Sequence, residues 1–146
     1  MKRYRKASFV SFLIVIVLFL NGCGFFNGPY KKRMLEYYSD DINYTTLSGT
    51  IISKDNNNAI IEVDISIYNG VFPVNTNSCQ FFRLYTNTYI IQNIEKGDFI
   101  TFISAPEYFY DGQYLPILAI EKEGTIYLSF EEGKKNYLEW IQLNFS

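Results

Sequence analysis

Apolar and polar residues alternate strictly over residues 61–67, and this is the clearest pattern in the chain. A period of two places Ile61, Val63, Ile65 and Ile67 on one face of an extended segment and the polar side chains on the other. A segment with one apolar and one polar face is typical of a strand that covers a core. We therefore predict a half-buried strand here.

The segment before this strand predicts a hairpin. Residues 45–53 are rich in Thr and Ile, and the polar cluster Asp55–Asn58 separates them from the alternating strand. Two β-rich runs joined by a short polar connection favour antiparallel pairing. Gly49 lies inside the first run, where glycine predicts a bulge or a sharp bend.

Four further strands and two helical segments are predicted along the rest of the chain. The spacing of Tyr137, Leu138, Trp140 and Ile141 by three and four residues predicts an amphipathic C-terminal helix over 134–143. Residues 88–93 are expected to form one helical turn or an irregular crossing. The predicted strands are Phe81–Tyr85, Phe99–Ile103, Leu115–Glu121 and Thr125–Phe130, with turns at 96–98 and 123–124.

The resulting order is β-β-β-(short helix)-β-β-β-α, and its first five strands, over 45–121, resemble an OB fold. The resemblance rests on a glycine-containing first strand, a hairpin to a long second strand, a crossing, and the Gly97-Asp98 turn into strand four. It implies a mainly β (β-rich α+β) class: a small OB-like antiparallel barrel of five to six strands with a C-terminal helix. A small antiparallel sheet packed on one helix is the alternative.

The N-terminus has the three parts of an export signal. A basic start, Lys2–Lys6, precedes the apolar run Phe9–Leu20, whose 12 residues suit a signal peptide better than a bilayer span, which needs roughly 20 residues. Leu20-Asn21-Gly22-Cys23 follows and resembles the bacterial lipobox. The resemblance implies a lipoprotein that is cleaved after Gly22 and carries fatty acyl chains on Cys23. An uncleaved helix over 7–26 is the alternative.

The predicted division of the chain follows from this reading. Residues 1–22 are a lipoprotein signal peptide, 23–44 a lipid-anchored tether with a short helix at 34–38, and 45–146 a β-barrel domain with its C-terminal helix. Two glycines and Pro29 predict irregular structure in the tether. The triplet Lys31–Arg33 either attracts anionic lipid headgroups or is simply solvated.

Charge and composition exclude several classes of function. Four of the 13 basic side chains and none of the 15 acidic ones lie in residues 1–22, which leaves a net charge of −6 beyond them. Such a domain repels nucleic-acid phosphates. The chain has no histidine, which excludes Ser-His-Asp catalysis and removes the commonest metal ligand. Cys79, the second cysteine, is expected to be a buried apolar residue rather than a reactive thiol.

Acidic residues do not form a recognisable catalytic or metal-binding motif. A glycosidase needs two carboxylates about 5–9 Å apart, and no pair stands out among the candidates. The oxygen-rich Asp55–Asn58 lacks the glycine and glutamate of an EF-hand loop and is better explained as a turn. We therefore expect no catalytic residues, no metal and no cofactor. The carboxylates considered are Asp64, Glu107, Asp111, Glu131 and Glu132.

One stretch is a candidate ligand-binding loop. Residues 106–115 contain Tyr108, Phe109, Tyr110 and Tyr114, and in an OB-like barrel this loop joins strands four and five beside the usual ligand face. Exposed aromatic rings bind partners with little loss of entropy. The alternative is that these rings belong to a hairpin and its core.

The expected protein is a membrane-anchored lipoprotein on the extracytoplasmic face, whose β domain is a binding module. Its partners would be the membrane, through Cys23, and an envelope protein or cell-wall ligand; no nucleic acid is expected. The alternatives are an exported hydrolase that uses carboxylates, and a structural envelope component docking through the helix around Trp140. In the latter case, residues 134–146 should be removable without unfolding the barrel.

Overall fold

The protein is mainly β, as predicted. The structure, a computed structural model, describes residues 28–68, 80–105 and 114–145. Helix α1 covers residues 28–39, helix α2 is Phe130–Asn144, and 3₁₀ turns lie at Asp41–Asn43 and Thr88–Asn93. The strands are β1 (Thr45–Asp55), β2 (Ile60–Tyr68), β3 (Gln80–Arg83), β4 (Phe99–Ser104), β5 (Leu115–Pro116), β6 (Ala119–Lys122) and β7 (Thr125–Leu128).

The strands form one sheet in the order β5-β3-β2-β1-β4-β6-β7. All neighbours are antiparallel except β3 and β5. The predicted strand Leu115–Glu121 is in fact two strands: Ile117 N–H donates to Arg83 at 3.0 Å, whereas Leu118 N–H donates to Ile103 at 2.9 Å. One segment thus pairs with both β3 and β4, so the sheet curls around the core. Among the described residues the ladder remains open at β5 and β7, so this is a mixed, unclosed sheet of seven strands and not the closed antiparallel barrel of five to six strands that was predicted.

The core lies inside this curled sheet. Ile61, Val63 and Ile65 are buried on one face of β2, as the alternation predicts. The rings of Phe82 on β3 and Phe102 on β4 meet edge to face with centroids 4.7 Å apart. The inward faces of β2 and β4 are therefore mainly apolar, and buried Ser104 at the end of β4 donates a hydrogen bond to the Pro116 carbonyl.

Gly49 bends β1, as predicted. The register of β1 against β2 shifts between Ser48 and Gly49, which marks a bulge. A Cβ atom on Gly49 would lie 2.3 Å from the carbonyl oxygen of Asp64. Only glycine permits this close approach of the two strands.

Helix α1 corrects the prediction of an irregular tether. Pro29 and the triplet Lys31–Arg33 are helical, and the helix is longer than the predicted segment at 34–38. Proline is tolerated near a helix start because no backbone donor is needed there. Met34 and Tyr38, one helical turn apart, are buried in a cluster with α2. Residues 28–39 therefore form a helix that packs against the β domain and not an irregular tether.

Helix α2 begins four residues earlier than predicted. Ser129 caps it by accepting a hydrogen bond from Glu132 N–H at 3.3 Å, and Ser-x-x-Glu is the sequence of a capping box. Glu131, Glu132 and Gly133 consequently lie in the first turn of the helix, not in a surface turn. Strand β7 ends correspondingly early, at Leu128. The predicted buried face is correct for Tyr137 and Ile141.

Candidate ligand-binding face

The outward face of β2 and β3 carries both charge and an exposed aromatic ring. Glu62 pairs with Phe81 across the two strands, and Phe81 is 45% exposed although it lies in the sheet. Ser53 on β1 donates to the Glu62 carboxylate at 2.7 Å, and Asp64 is exposed on the same face of β2. This face therefore offers an exposed ring beside two carboxylates, of which that of Glu62 is held by Ser53.

Further aromatic rings and one guanidinium group lie on either side of Phe81. Tyr114 meets Phe81 edge to face with ring centroids 6.4 Å apart. Arg83 lies two residues along β3, and its guanidinium carbon is 5.2 Å from the ring centre of Tyr85. Tyr85 in turn contacts Trp140 of α2, with centroids 4.7 Å apart. We call this set of neighbouring side chains the aromatic strip: Tyr114, Phe81, Arg83, Tyr85 and Trp140.

A small polar cleft of about 160 Å³ opens at the Trp140 end of the strip. In the walls of the cleft, the strip provides a guanidinium group and two aromatic rings. The β1–β2 turn provides two side-chain amides, and the 3₁₀ segment Thr88–Asn93 provides a hydroxyl group. Rings with convergent polar groups are the usual composition of a small ligand site. The residues that line the cleft are Asn57, Asn58, Ala59, Arg83, Leu84, Tyr85, Thr88 and Trp140.

Two residues next to the cleft adopt left-handed backbone conformations. Ala59 and Asn87 both have φ of 53°. The conformation is unfavourable for alanine in particular, so the surrounding contacts must hold it. Leu84 N–H donates to Ala59 at 2.9 Å, and the Asn87 side chain donates to Glu132 at 2.8 Å. These bonds tie the two cleft walls to β3 and to α2.

The Asp55 carboxylate is engaged within its own turn. It accepts hydrogen bonds from Asn57 N–H at 2.9 Å and from the Asn58 side-chain amide at 2.7 Å. The Asn58 amide is the main reason that the pKa of Asp55 is lowered. The carboxylate thus stabilises the hairpin turn, in agreement with the turn interpretation of Asp55–Asn58. Within the described ranges, no three metal-ligating side chains come together.

A buried tyrosine cluster supports the Trp140 end of the strip from behind. The ring of Tyr137 stacks on Trp140 with centroids 5.7 Å apart and an interplanar angle of 4°. Tyr38 of α1 meets Tyr137 edge to face at 4.9 Å, and the two side chains share a hydrogen bond. Burial raises the pKa of both tyrosines. The orientation of Trp140 is therefore fixed by packing between both helices.

A second concavity, of about 250 Å³, lies between the outer faces of β4, β6 and β7 and the start of α2. Its walls are mostly apolar. The strip is the stronger candidate because it joins aromatic rings and a guanidinium group to a polar cleft on adjoining residues. The lining includes Thr46, Thr101, Ile103, Ala119, Ile126, Leu128, Phe130 and Glu131.

Of the predicted ligand-binding residues, Tyr114 lies in the strip. Tyr108, Phe109 and Tyr110 fall outside the described residues, as do Cys23, Cys79, Glu107 and Asp111. Phe81, Arg83 and Tyr85 are not among the predicted site residues, and Trp140 is predicted only as part of a docking helix. A signal was present, since residues 81, 83 and 85 follow the period of two that places them on one face of a strand. The contribution of Trp140 depends on helix packing, which no local pattern reveals.

No protein-family model, curated protein or solved structure matches this chain. In the part of the chain that the structure describes, no helix is long and apolar enough to cross a membrane. Function is therefore inferred from the geometry of the strip and from the sequence of the N-terminus.

Proposed function

We propose that this protein is a membrane-anchored lipoprotein whose extracytoplasmic β domain binds an envelope protein or a cell-wall polymer through the aromatic strip. The observation that carries the proposal is the aromatic strip, in which Phe81 and Arg83 lie on the outer face of β3, Tyr114 contacts Phe81, and Tyr85 joins Arg83 to Trp140 of α2. In OB folds this face and its adjacent loops bind oligonucleotides and oligosaccharides. The lipobox-like sequence ending at Cys23 supports the anchor.

The chemistry of the strip favours binding of a neutral or cationic polymer over a nucleic acid. Rings held by packing bury a large area on binding and lose little conformational entropy. Arg83 adds a planar donor for carbonyl or carboxylate groups. Glu62 and Asp64 beside the rings, together with the net charge of −6 beyond residue 22, repel phosphates.

The strip is tested by crosslinking the anchored protein in its native host and by sedimentation with purified cell-wall sacculi. Phe81→Ala should reduce captured partner or bound protein by about tenfold, as for a residue at the centre of an interface. Phe99→Ala is the matched control, because Phe99 is also exposed, at 50%, but lies on β4 outside the strip. Equal capture by both variants would place the binding surface elsewhere.

The anchor is tested separately by the mass of the mature N-terminal peptide. We expect a peptide that begins at Cys23 and carries a diacylglyceryl group, and Cys23→Ala should release the protein from membranes. An unmodified peptide that still begins at Met1 would overturn the anchor and leave the strip proposal standing.

A further inference from the structure

The two helices are antiparallel, which brings the start of α1 next to the end of α2. Lys31 Nζ donates to the backbone carbonyl of Gln142 at 2.8 Å, and the rings of Tyr30 and Phe145 lie 5.8 Å apart. At the opposite end, Lys134 Nζ donates to the carbonyl of Ser39 at 2.8 Å. The first two turns of α1 and the last turn of α2 with its C-cap residue Phe145 therefore form one end of the domain. We call it the anchor end: Tyr30, Lys32, Arg33, Leu143 and Phe145.

The anchor end combines basic, apolar and aromatic groups in the way that membrane-interface surfaces do. Leu143 is 84% exposed, Lys32 and Arg33 are exposed, and the rings of Tyr30 and Phe145 are half-buried beside them. The far end of the helices carries more acidic than basic side chains, although Lys134 and Lys135 also lie there. Its exposed residues include Asp40, Asp41, Glu131 and Glu132.

If Cys23 carries the proposed lipid anchor, both chain length and charge favour contact between the anchor end and the membrane surface. Cys23 and Gly28 are five residues apart, so a fully extended chain holds the start of α1 within about 17 Å of the anchor. Three of the nine basic side chains beyond residue 22 lie at 31–33. An anionic surface attracts this triplet and repels the acidic remainder of the domain.

We propose that the anchor end docks on an anionic bilayer surface and orients the domain. Both helices then stand with the start of α1 and the end of α2 at the headgroups, and the start of α2 points away. Trp140 lies four residues before the end of α2, about 6 Å along its axis. The Trp140 end of the aromatic strip thus faces the gap next to the membrane, and the strip meets a ligand close to the bilayer.

The chain has one tryptophan, so its fluorescence reports this orientation without labelling. The lipidated full-length protein is reconstituted into vesicles of phosphatidylglycerol and phosphatidylcholine that contain headgroup-nitroxide lipids. We expect strong quenching of Trp140. The double variant Lys32→Glu/Arg33→Glu should lower the quenching at least twofold. Lys96→Glu/Lys135→Glu, which makes the same change in charge at exposed positions away from the anchor end, should leave it unchanged.

A second variant tests the proposal even if Lys32→Glu/Arg33→Glu fails to fold. Leu143→Gln removes an exposed apolar side chain at the anchor end, so it should preserve the near-ultraviolet circular dichroism and still reduce quenching. Equal quenching in the parent, both anchor-end variants and purely neutral vesicles would overturn the docking proposal. Protein that does not float with the vesicles at all would instead overturn the lipid anchor, so the two failures are distinguishable.

Discussion

At the scale of one residue, Gly133 determines how closely α2 packs on the sheet. A Cβ atom at this position would lie 1.9 Å from the carbonyl oxygen of Leu118. Gly133→Ala should therefore destabilise the protein by about 1–3 kcal/mol, the usual cost of overpacking. This loss should appear although alanine is the better helix former by about 1 kcal/mol. Chemical denaturation of the purified variant gives the free energy of unfolding.

Gly28→Ala is the matched control for this prediction. Gly28 is also helical, but nothing lies within 4 Å of its Cβ position. That substitution should be neutral or mildly stabilising, because only helix propensity changes. A Gly133→Ala variant as stable as the parent would mean that α2 can move away from Leu118 at little cost.

Gly133 also shows what a sequence reveals at this scale. The predicted helix over 134–143 leaves Gly133 outside, although Ser129 and Glu132 before it form a capping box that places it in the helix. Its contact with Leu118 could not be predicted from the sequence, because the two residues belong to different elements and meet only through tertiary packing. Gly49 was predictable as a bulge because the strand pattern on both sides of it is local.

At the scale of an element, α2 is part of the core and not an appendage. Tyr137 and Ile141 are buried against Met34, Tyr38 and Leu118. Burying one large apolar side chain contributes about 1.5–3 kcal/mol, and whole domains are stable by only about 5–15 kcal/mol. Deletion of 134–146 should therefore abolish cooperative unfolding, contrary to the idea that the barrel folds without this helix. Thermal unfolding followed by near-ultraviolet circular dichroism tests this.

The exposed side of α2 provides the comparison. Lys135→Ala/Glu139→Ala changes two exposed residues of the same helix and should keep the sharp transition of the parent. A truncated chain that unfolds as sharply as this variant would show that the β domain is stable alone. The docking role suggested for α2 could then be tested without loss of folding.

Strands were easier to predict than helices in this chain, for a physical reason. The alternation in β2 reflects a local contrast between core and solvent, which any strand with one buried face displays. Leu115–Glu121 also has the composition of a strand, and one strand was predicted there. In the structure the segment changes its pairing partner between Ile117 and Leu118. The position of this change depends on the curl of the sheet, which the local sequence does not show. Helix α1 was underestimated because Gly28 and Pro29 were interpreted as breakers, whereas packing of Met34 and Tyr38 stabilises the helix.

At the scale of the whole molecule, tyrosines join the two helices to the sheet. Burial raises the pKa of Tyr38, Tyr44 and Tyr137 above the ordinary value near 10. A group whose native pKa is raised contributes its full stability below the unfolded pKa, and this is lost as the pH rises toward the native value. The domain should therefore lose stability steadily above about pH 10, the pKa of an unfolded tyrosine.

Tyrosinate absorbance and near-ultraviolet circular dichroism, measured in one titration, test this prediction. In the native protein, the exposed tyrosines should ionise reversibly near the ordinary pKa. The remainder should ionise only as the circular dichroism signal collapses. Fluorescence of Trp140 should change at that same step, because its ring stacks on Tyr137. In denaturant, all tyrosines should ionise together.

Tyr137→Phe separates the ionisation from general alkaline damage. The variant loses a hydrogen bond with Tyr38 and starts less stable, but it also lacks one group that binds its proton more tightly in the native state. Its stability should therefore fall less steeply with rising pH than that of the parent. Single-step ionisation of every tyrosine near pH 10 with unchanged circular dichroism would contradict the prediction. The cluster would then be open to solvent, and the aromatic strip would lose the rigid support that its proposed binding role requires.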